Sequence, residues 1–310
     1  MNLFRKPRLL LALLILANYD PFQGEVHAAG NAPACEADLE SATWVVERFF
    51  DRDGFPERAK YYTGEMSPTA RQPTIGAGLP DGVGLSHRLV VVNCPRAAYA
   101  TTLSVDTRGG DWYLYLLHQD GTWKIEAVRT LFLPGFFHSL LEYLVANRDR
   151  LDEVDRESAA ALAAARTALP NVAGLEEEIE PAADMLARML LAVSTDAQLR
   201  QYFIDNEEAF RRLAAEVGRY PSLRQVTNSG RMEPKVEAAR PLVGQMRQLG
   251  IRVITPAARP GCTFFGIAGV ADNEVGYLYA APGCTVPEIS PGPFIYVEQV
   301  APDWFLYKTT

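Results

Sequence analysis

The sequence predicts an α+β protein, and three observations carry that expectation. Between Tyr99 and Leu131, runs of β-branched and aromatic residues are broken by Gly109-Gly110 and by Asp120-Gly121, dipeptides that supply the positive φ of tight hairpin turns. From Leu39 to Phe50, and again from Leu199 to Val217, apolar residues recur at helical spacing. After Gly250 the period shortens, and β-rich runs separated by Pro, Gly and Asn follow one another as far as Thr309.

In chain order, residues 1–28 have the make-up of an export signal. Arg5, Lys6 and Arg8 precede the apolar run Leu9 to Ala17, and Val26-His27-Ala28 is a small-residue cleavage pattern. The run is too short to cross a bilayer, so no membrane span is expected once the signal is removed. Cys35 follows Ala32-Pro33-Ala34, which is no lipobox. A periplasmic or secreted location is therefore expected. A length of 310 residues suffices for two domains of about 100–200 residues each. The net charge of -8 disfavours nucleic acid and anionic lipid as partners.

Four cysteines in an exported chain predict disulfides. Cys35 and Cys94 fall in the first half and Cys262 and Cys284 in the last quarter, so one bridge in each part is the simplest pairing. The other two connectivities remain open. No two cysteines have the short spacing of structural zinc sites, and no metal is expected.

Leu39, Ala42, Val45, Val46, Phe49 and Phe50 mark a first helix, ended by Gly54-Phe55-Pro56, and Glu57 to Tyr62 reads as a second, short one. Ser67 to Gly84 is rich in Pro and Gly and reads as a long loop. Its Gly76-Ala77-Gly78 lacks the third glycine and the leading strand of a dinucleotide fingerprint. Ser86 to Cys94 reads as a strand, followed by a meander of Tyr99–Asp106, Asp111–Gln119 and Thr122–Val128. Pro134-Gly135 closes that sheet.

Phe136–Ala146, Asp152–Leu169 and Pro181–Val193 read as helices. Thr195 and Gln198 have the spacing of a capping box, and Gly218 stands where that helix should stop. Tyr220 to Pro234 reads as polar connecting chain, and Val236 to Leu249 as a helix. Ile251–Thr255, Thr263–Ile267, Val275–Ala280, Pro293–Val300 and Asp303–Thr309 read as strands of a small antiparallel sheet.

An amphipathic helix followed by a curved antiparallel sheet whose last strand is Gly121-Thr-Trp-Lys-Ile125 resembles the NTF2-like fold, over roughly residues 36–131. The resemblance implies helices laid across the concave face and a cone-shaped pocket, which some relatives use for catalysis and many for binding. Ser194-Thr-Asp-Ala-Gln-Leu-Arg-Gln-Tyr-Phe203, Glu208-Ala-Phe-Arg-Arg-Leu213, Leu249-Gly-Ile251, Val275-Gly-Tyr-Leu-Tyr279 and Asp303-Trp-Phe-Leu-Tyr307 are similar to a family of exported bacterial proteins of unknown function. The similarity extends back through Trp123-Lys-Ile125 and Leu133-Pro-Gly-Phe136, and brings no catalytic residue with it. The expected plan is a signal at 1–28, an NTF2-like domain at 36–133, a helical connector at 134–193, and a helix with a small β domain at 194–310.

Trp112, Tyr113, Tyr115 and Trp123 form an aromatic cluster suited to line an apolar ligand pocket or to fill a core. Tyr277, Tyr279, Tyr296, Trp304 and Tyr307 repeat that choice in the second sheet. His118, at a strand end, is a candidate general base, with Asp111 and Arg129 as companions inside the cone; a structural histidine is the simpler reading. His138 and Glu142 lie one helical turn apart, without the spacing of a metalloprotease. There is no Gly-x-Ser-x-Gly elbow and no phosphate loop.

The function expected is thus an exported, non-enzymatic binding protein for a protein or small apolar ligand, working without a cofactor. One form, by analogy with other NTF2-like proteins, is an immunity protein against an interbacterial toxin. The alternative is a cofactor-free hydrolase or isomerase acting in the cone, and a third reading is a purely structural envelope protein.

Overall fold

A computed structural model describes residues 39–105, 108–168, 178–270 and 273–310. The expected signal peptide and Cys35 lie outside the described residues.

Helix α1 (Leu39–Phe50) buries Ala42, Val45, Val46, Phe49 and Phe50, the stripe its sequence spacing predicts. The short α2 (Arg58–Tyr61) follows. The segment expected as a long loop holds two 3-10 turns, Gly64–Arg71 and Gly76–Gly78. Met66, Ile75 and Leu79 pack against the α1 core, and Thr74 Oγ1 accepts from the Ala77 N–H and donates to the Arg52 carbonyl. Those anchors are single residues without periodicity, so the pattern of Pro and Gly hides them.

Strands β1 (Gly84–Asn93), β2 (Arg96–Val105), β3 (Arg108–Gln119) and β4 (Thr122–Thr130) form an antiparallel meander in chain order. Asp120 (φ 55) and Gly121 (φ 73) make the β3–β4 turn, as a primed two-residue loop requires. Gly109-Gly110 does not make the preceding turn. Both residues pair with β2, opposite Ser104 and Leu103, and residues 106 and 107 between the strands lie outside the described residues. Glycine accepts extended backbone as readily as positive φ, which makes the dipeptide an ambiguous signal.

Successive side chains of a strand point to opposite faces. Trp112, Leu114 and Leu116 of β3 face α1, whereas Tyr113 and Tyr115 face the other way with Ala98, Ala100 and Ala127. The sheet is therefore apolar on both sides.

Helices α3 (Gly135–Ala146), α4 (Leu151–Ala168) and α5 (Ala182–Ala192) lead to α6 (Asp196–Val217). At the start of α6, Thr195 and Gln198 form the reciprocal capping box, and Leu199, Phe203, Phe210, Leu213 and Val217 are buried. The helix expected from Val236 is broken into a 3-10 turn, Glu237–Ala239, and α7 (Pro241–Gln248). Pro241 has no N–H to continue a helix and suits a first helical position instead.

The second sheet is larger than the five strands expected. β5 (Gln225–Thr227) and β6 (Met232–Glu233) lie in the segment taken as connecting chain, and join β7 (Val253–Arg259), β8 (Cys262–Val270), β9 (Asn273–Ala280), β10 (Phe294–Ala301) and β11 (Trp304–Thr309). The seven strands are ordered β10-β11-β9-β8-β7-β5-β6. β5 and β6 are too short to show alternation, and only the pairing of β5 with β7 and of β6 with β5 defines them.

A single hydrophobic cluster takes Tyr113 and Tyr115 from the first sheet, Tyr277, Ile295 and Tyr296 from the second, and Phe203 and Phe210 from α6. Each buried phenylalanine contributes about 2 kcal/mol of hydrophobic stabilisation. The far side of the second sheet has its own small core, with Phe264, Leu278, Phe294 and Tyr307 beside the Cys262–Cys284 disulfide. There Tyr307 donates to Glu274 Oε1 at 2.7 Å, and a Cβ on Gly266 would overlap that carboxylate and lie 2.9 Å from Val253 Cγ1. Cys94 is disulfide-bonded as well; Cys35, the partner of the simplest pairing, is outside the described residues. No described helix is long and apolar enough to cross a membrane.

Candidate functional site

The inward face of the meander meets the second sheet through a buried polar joint. Asp111, at the start of the inward phase of β3, accepts from Thr102 Oγ1 at 2.6 Å and from the Asp196 backbone N–H at 2.7 Å. It thereby places a carboxylate at the positive end of α6. Lys308 Nζ lies 2.8 Å from Asp196 Oδ1 and 3.3 Å from Asp111 Oδ2, and the Tyr113 hydroxyl donates to Asp196 Oδ1 at 2.8 Å. The three ionisable side chains are all nearly solvent-free, at 1–5 % exposure.

Burial raises the Asp196 carboxyl to about 6, against the opposing pull of Lys308. Burial alone would lower the Lys308 ammonium, but the Asp196 and Asp111 carboxylates outweigh it and leave it raised. Asp196 Oδ2 has no hydrogen-bond partner. Buried to this degree, the constellation holds two sheets together.

The joint continues outward. Tyr296 packs on Tyr113 with ring centroids 5.0 Å apart and hydrogen-bonds Glu298. Arg88 of β1 reaches Glu298 at 2.7 Å and the Tyr296 hydroxyl at 2.6 Å, and Arg200 of α6 also pairs with Glu298. The Tyr115 hydroxyl donates to the Ile295 carbonyl at 2.6 Å, and Arg129 Nε donates to the Pro291 carbonyl at 2.8 Å while its guanidinium clasps both oxygens of Glu65.

The candidate residues are thus divided between two faces. Trp123 is fully buried in the α1 core and Trp112 packs edge-on to Phe50, whereas Tyr113 and Tyr115 belong to the joint. His118 sits with its ring 5.2 Å from Trp123, at the far end of β3 from Asp111 and on the opposite face from Asp111 and Arg129. Those three do not share a cavity. Tyr277, Tyr296, Trp304 and Tyr307 have no exposed surface and are core. His138 and Glu142 are exposed on α3. Among the described residues, no three His, Cys, Asp or Glu side chains are grouped to hold a metal ion.

A second buried ion pair, Arg188–Glu180 at 2.7 Å, fixes α5 to the second sheet: Arg188 also donates to the Ile267 carbonyl and Asn228 to Glu180. It too is closed off.

An accessible cleft of about 840 Å³ lies beside the joint, within the range of small-molecule sites. Its floor is the inward face of the meander at Ala98 and Tyr115, near the β1–β2 turn. Its opposite wall is the loop Val286–Pro291 with Val297, Glu298 and Gln299 of β10. Small apolar side chains on the floor, and Arg96, Glu126 and Glu288 around them, give a mixed lining.

Lys308, Asp196, Arg88 and Glu298 were not singled out from the sequence. Lys308 had a signal: it shares the inward phase of β11 with Trp304 and Leu306, and a charge on an apolar phase requires a partner. The other three lie on surfaces whose neighbours are distant in sequence. No family model matches the chain, and no curated protein or solved structure is significantly similar to it.

Proposed function

We propose that the chain is an exported binding protein, acting outside the cytoplasm without a catalytic step, and that its ligand occupies the cleft between the two sheets. The observation that carries this reading is the cleft itself: about 840 Å³ of accessible, mixed-polarity space next to a joint that already uses Asp111, Tyr113, Tyr115 and Arg129. The Cys262–Cys284 bridge supports an oxidising compartment. The helix laid across one side of a four-stranded antiparallel sheet supports an NTF2-like origin for the first unit, with its α1 side filled by Phe49, Phe50 and Trp123. That filling favours binding at the opposite face over an enzyme in the cone.

The test is native mass spectrometry of the oxidised chain purified from periplasm or culture medium, beside Val91→Trp and Gln299→Trp variants. Both positions are exposed and line the cleft. A retained or added ligand should be lost from both variants while their circular dichroism is unchanged. A ligand held equally by both variants overturns the assignment of the cleft.

A further inference from the structure

Three consecutive residues of β10, Val297, Glu298 and Gln299, line the cleft. Because neighbouring side chains on a strand point to opposite faces, a cavity that touches three in a row lies along the strand's edge. β10 is a terminal strand of its sheet, paired among the described residues only with β11. The edge on the cleft is therefore the one without a ladder partner.

Which main-chain groups it presents follows from the register. The Ala280 N–H donates to the Asp303 carbonyl on the β9 side, so odd-numbered residues of β11 direct their main-chain groups to β9 and even-numbered ones to β10. Leu306 and Lys308 pair with Glu298 and Tyr296, which makes those two the ladder-bonded residues of β10. The N–H and C=O groups of Val297 and the N–H of Gln299, which precedes a register shift at Gln299/Ala301, then point away from the sheet, on the same side as the Ile295 carbonyl. The Ile295 carbonyl is capped by the Tyr115 hydroxyl. Beyond that cap the edge faces the cleft, over a floor that includes Ala98.

Resting on the reading of the cleft as the binding site, we infer that its occupant is an extended segment of another polypeptide, added as a strand to the free edge of β10. Main-chain hydrogen bonds to Val297 and Gln299 supply the attachment, and alternate side chains rest on the Ala98 floor. Glu288 on the facing loop is exposed and has no ion-pair partner among the described residues, which selects a segment carrying Lys or Arg.

The probe is a display library of random linear heptapeptides panned against the oxidised chain. Expected binders are extended, apolar sequences with a basic residue, which slow amide exchange at Val297 and Gln299. In a selected peptide, N-methylation at every second residue should weaken binding by about tenfold or more, and at the intervening residues by little. Gln299→Pro, which removes a donor from the free edge and none from the β11 ladder, should weaken binding similarly, and Glu288→Lys should lose the preference for basic peptides. An N-methylation profile without alternation, or unchanged binding to Gln299→Pro, overturns strand addition. A small ligand seated in the cleft, with no peptide selected, overturns strand addition while leaving the proposed function standing.

Discussion

The backbone N–H of Asp196 donates to Asp111 Oδ2 at 2.7 Å, so a side chain of β3 completes the N-terminus of a helix that begins 85 residues later. Thr195 satisfies another N–H of the same turn from within the helix. One end of α6 is capped locally, and also by the sheet it packs against. Lys308 then joins both acids, and the arrangement makes the joint sensitive to single substitutions.

Lys308→Met is expected to destabilise the fold by about 3–5 kcal/mol, because it leaves two buried carboxylates without their counter-charge. Tyr113→Phe removes one hydrogen bond to Asp196 and should cost about 1–3 kcal/mol. Urea denaturation reads both, and the double variant should fall short of the sum, since the two side chains share Asp196 Oδ1. A Lys308→Met protein as stable as the parent would show that the ammonium is dispensable.

The pH dependence of the joint has a defined sign. Burial raises the Asp196 carboxyl from 3.8 to about 6, so in that interval the folded chain holds a proton that the unfolded chain has released. Its contribution to stability is full below the ordinary value and is lost as pH rises through about 6. The unfolding free energy of the parent relative to Asp196→Asn should therefore decline between pH 4 and pH 7, by about 3 kcal/mol at most. Carbon-13 titration of the Asp196 carboxyl should show a midpoint near 6; a midpoint at or below the ordinary value contradicts the assignment.

Gly266→Ala should lower stability by about 1–3 kcal/mol, the usual cost of overpacking. The added Cβ meets the Glu274 carboxylate and Val253, and displacing the carboxylate loosens its bond to Tyr307. A Gly266→Ala protein with the thermal midpoint of the parent would show that the notch has slack.

Cys262 and Cys284 are 22 residues apart in sequence, and opening a loop of that size costs about 3 kcal/mol in the chain-entropy description. The Cys262→Ala/Cys284→Ala protein should lose that much by urea denaturation. Alkylation of the denatured but unreduced parent should leave both thiols unlabelled, and labelling of either would deny the bridge.

What the sequence makes legible here is what is local. The α6 capping box needs only Thr195 and Gln198, and the β3–β4 turn only Asp120 and Gly121, so both were readable. Alternation is readable too, and it separates Trp112 and Trp123 from Tyr113 and Tyr115 although all four aromatics look like one cluster in sequence. The Asp111–Lys308 contact joins residues 197 apart, and no periodicity reports it. β5 and β6 are equally invisible, since their strand character comes from the pairing of β5 with β7 and of β6 with β5. The cleft depends on how two sheets meet, and each sheet was readable only by itself.

Three stretches of chain meet at one ion cluster: Asp111 from the meander, Asp196 from the long helix, Lys308 from β11. A gene fragment carrying any one of them inherits an ionisable group built for partners it no longer has. Division of the chain between Asp111 and Asp196 should yield halves that associate with each other when co-expressed and precipitate when made alone.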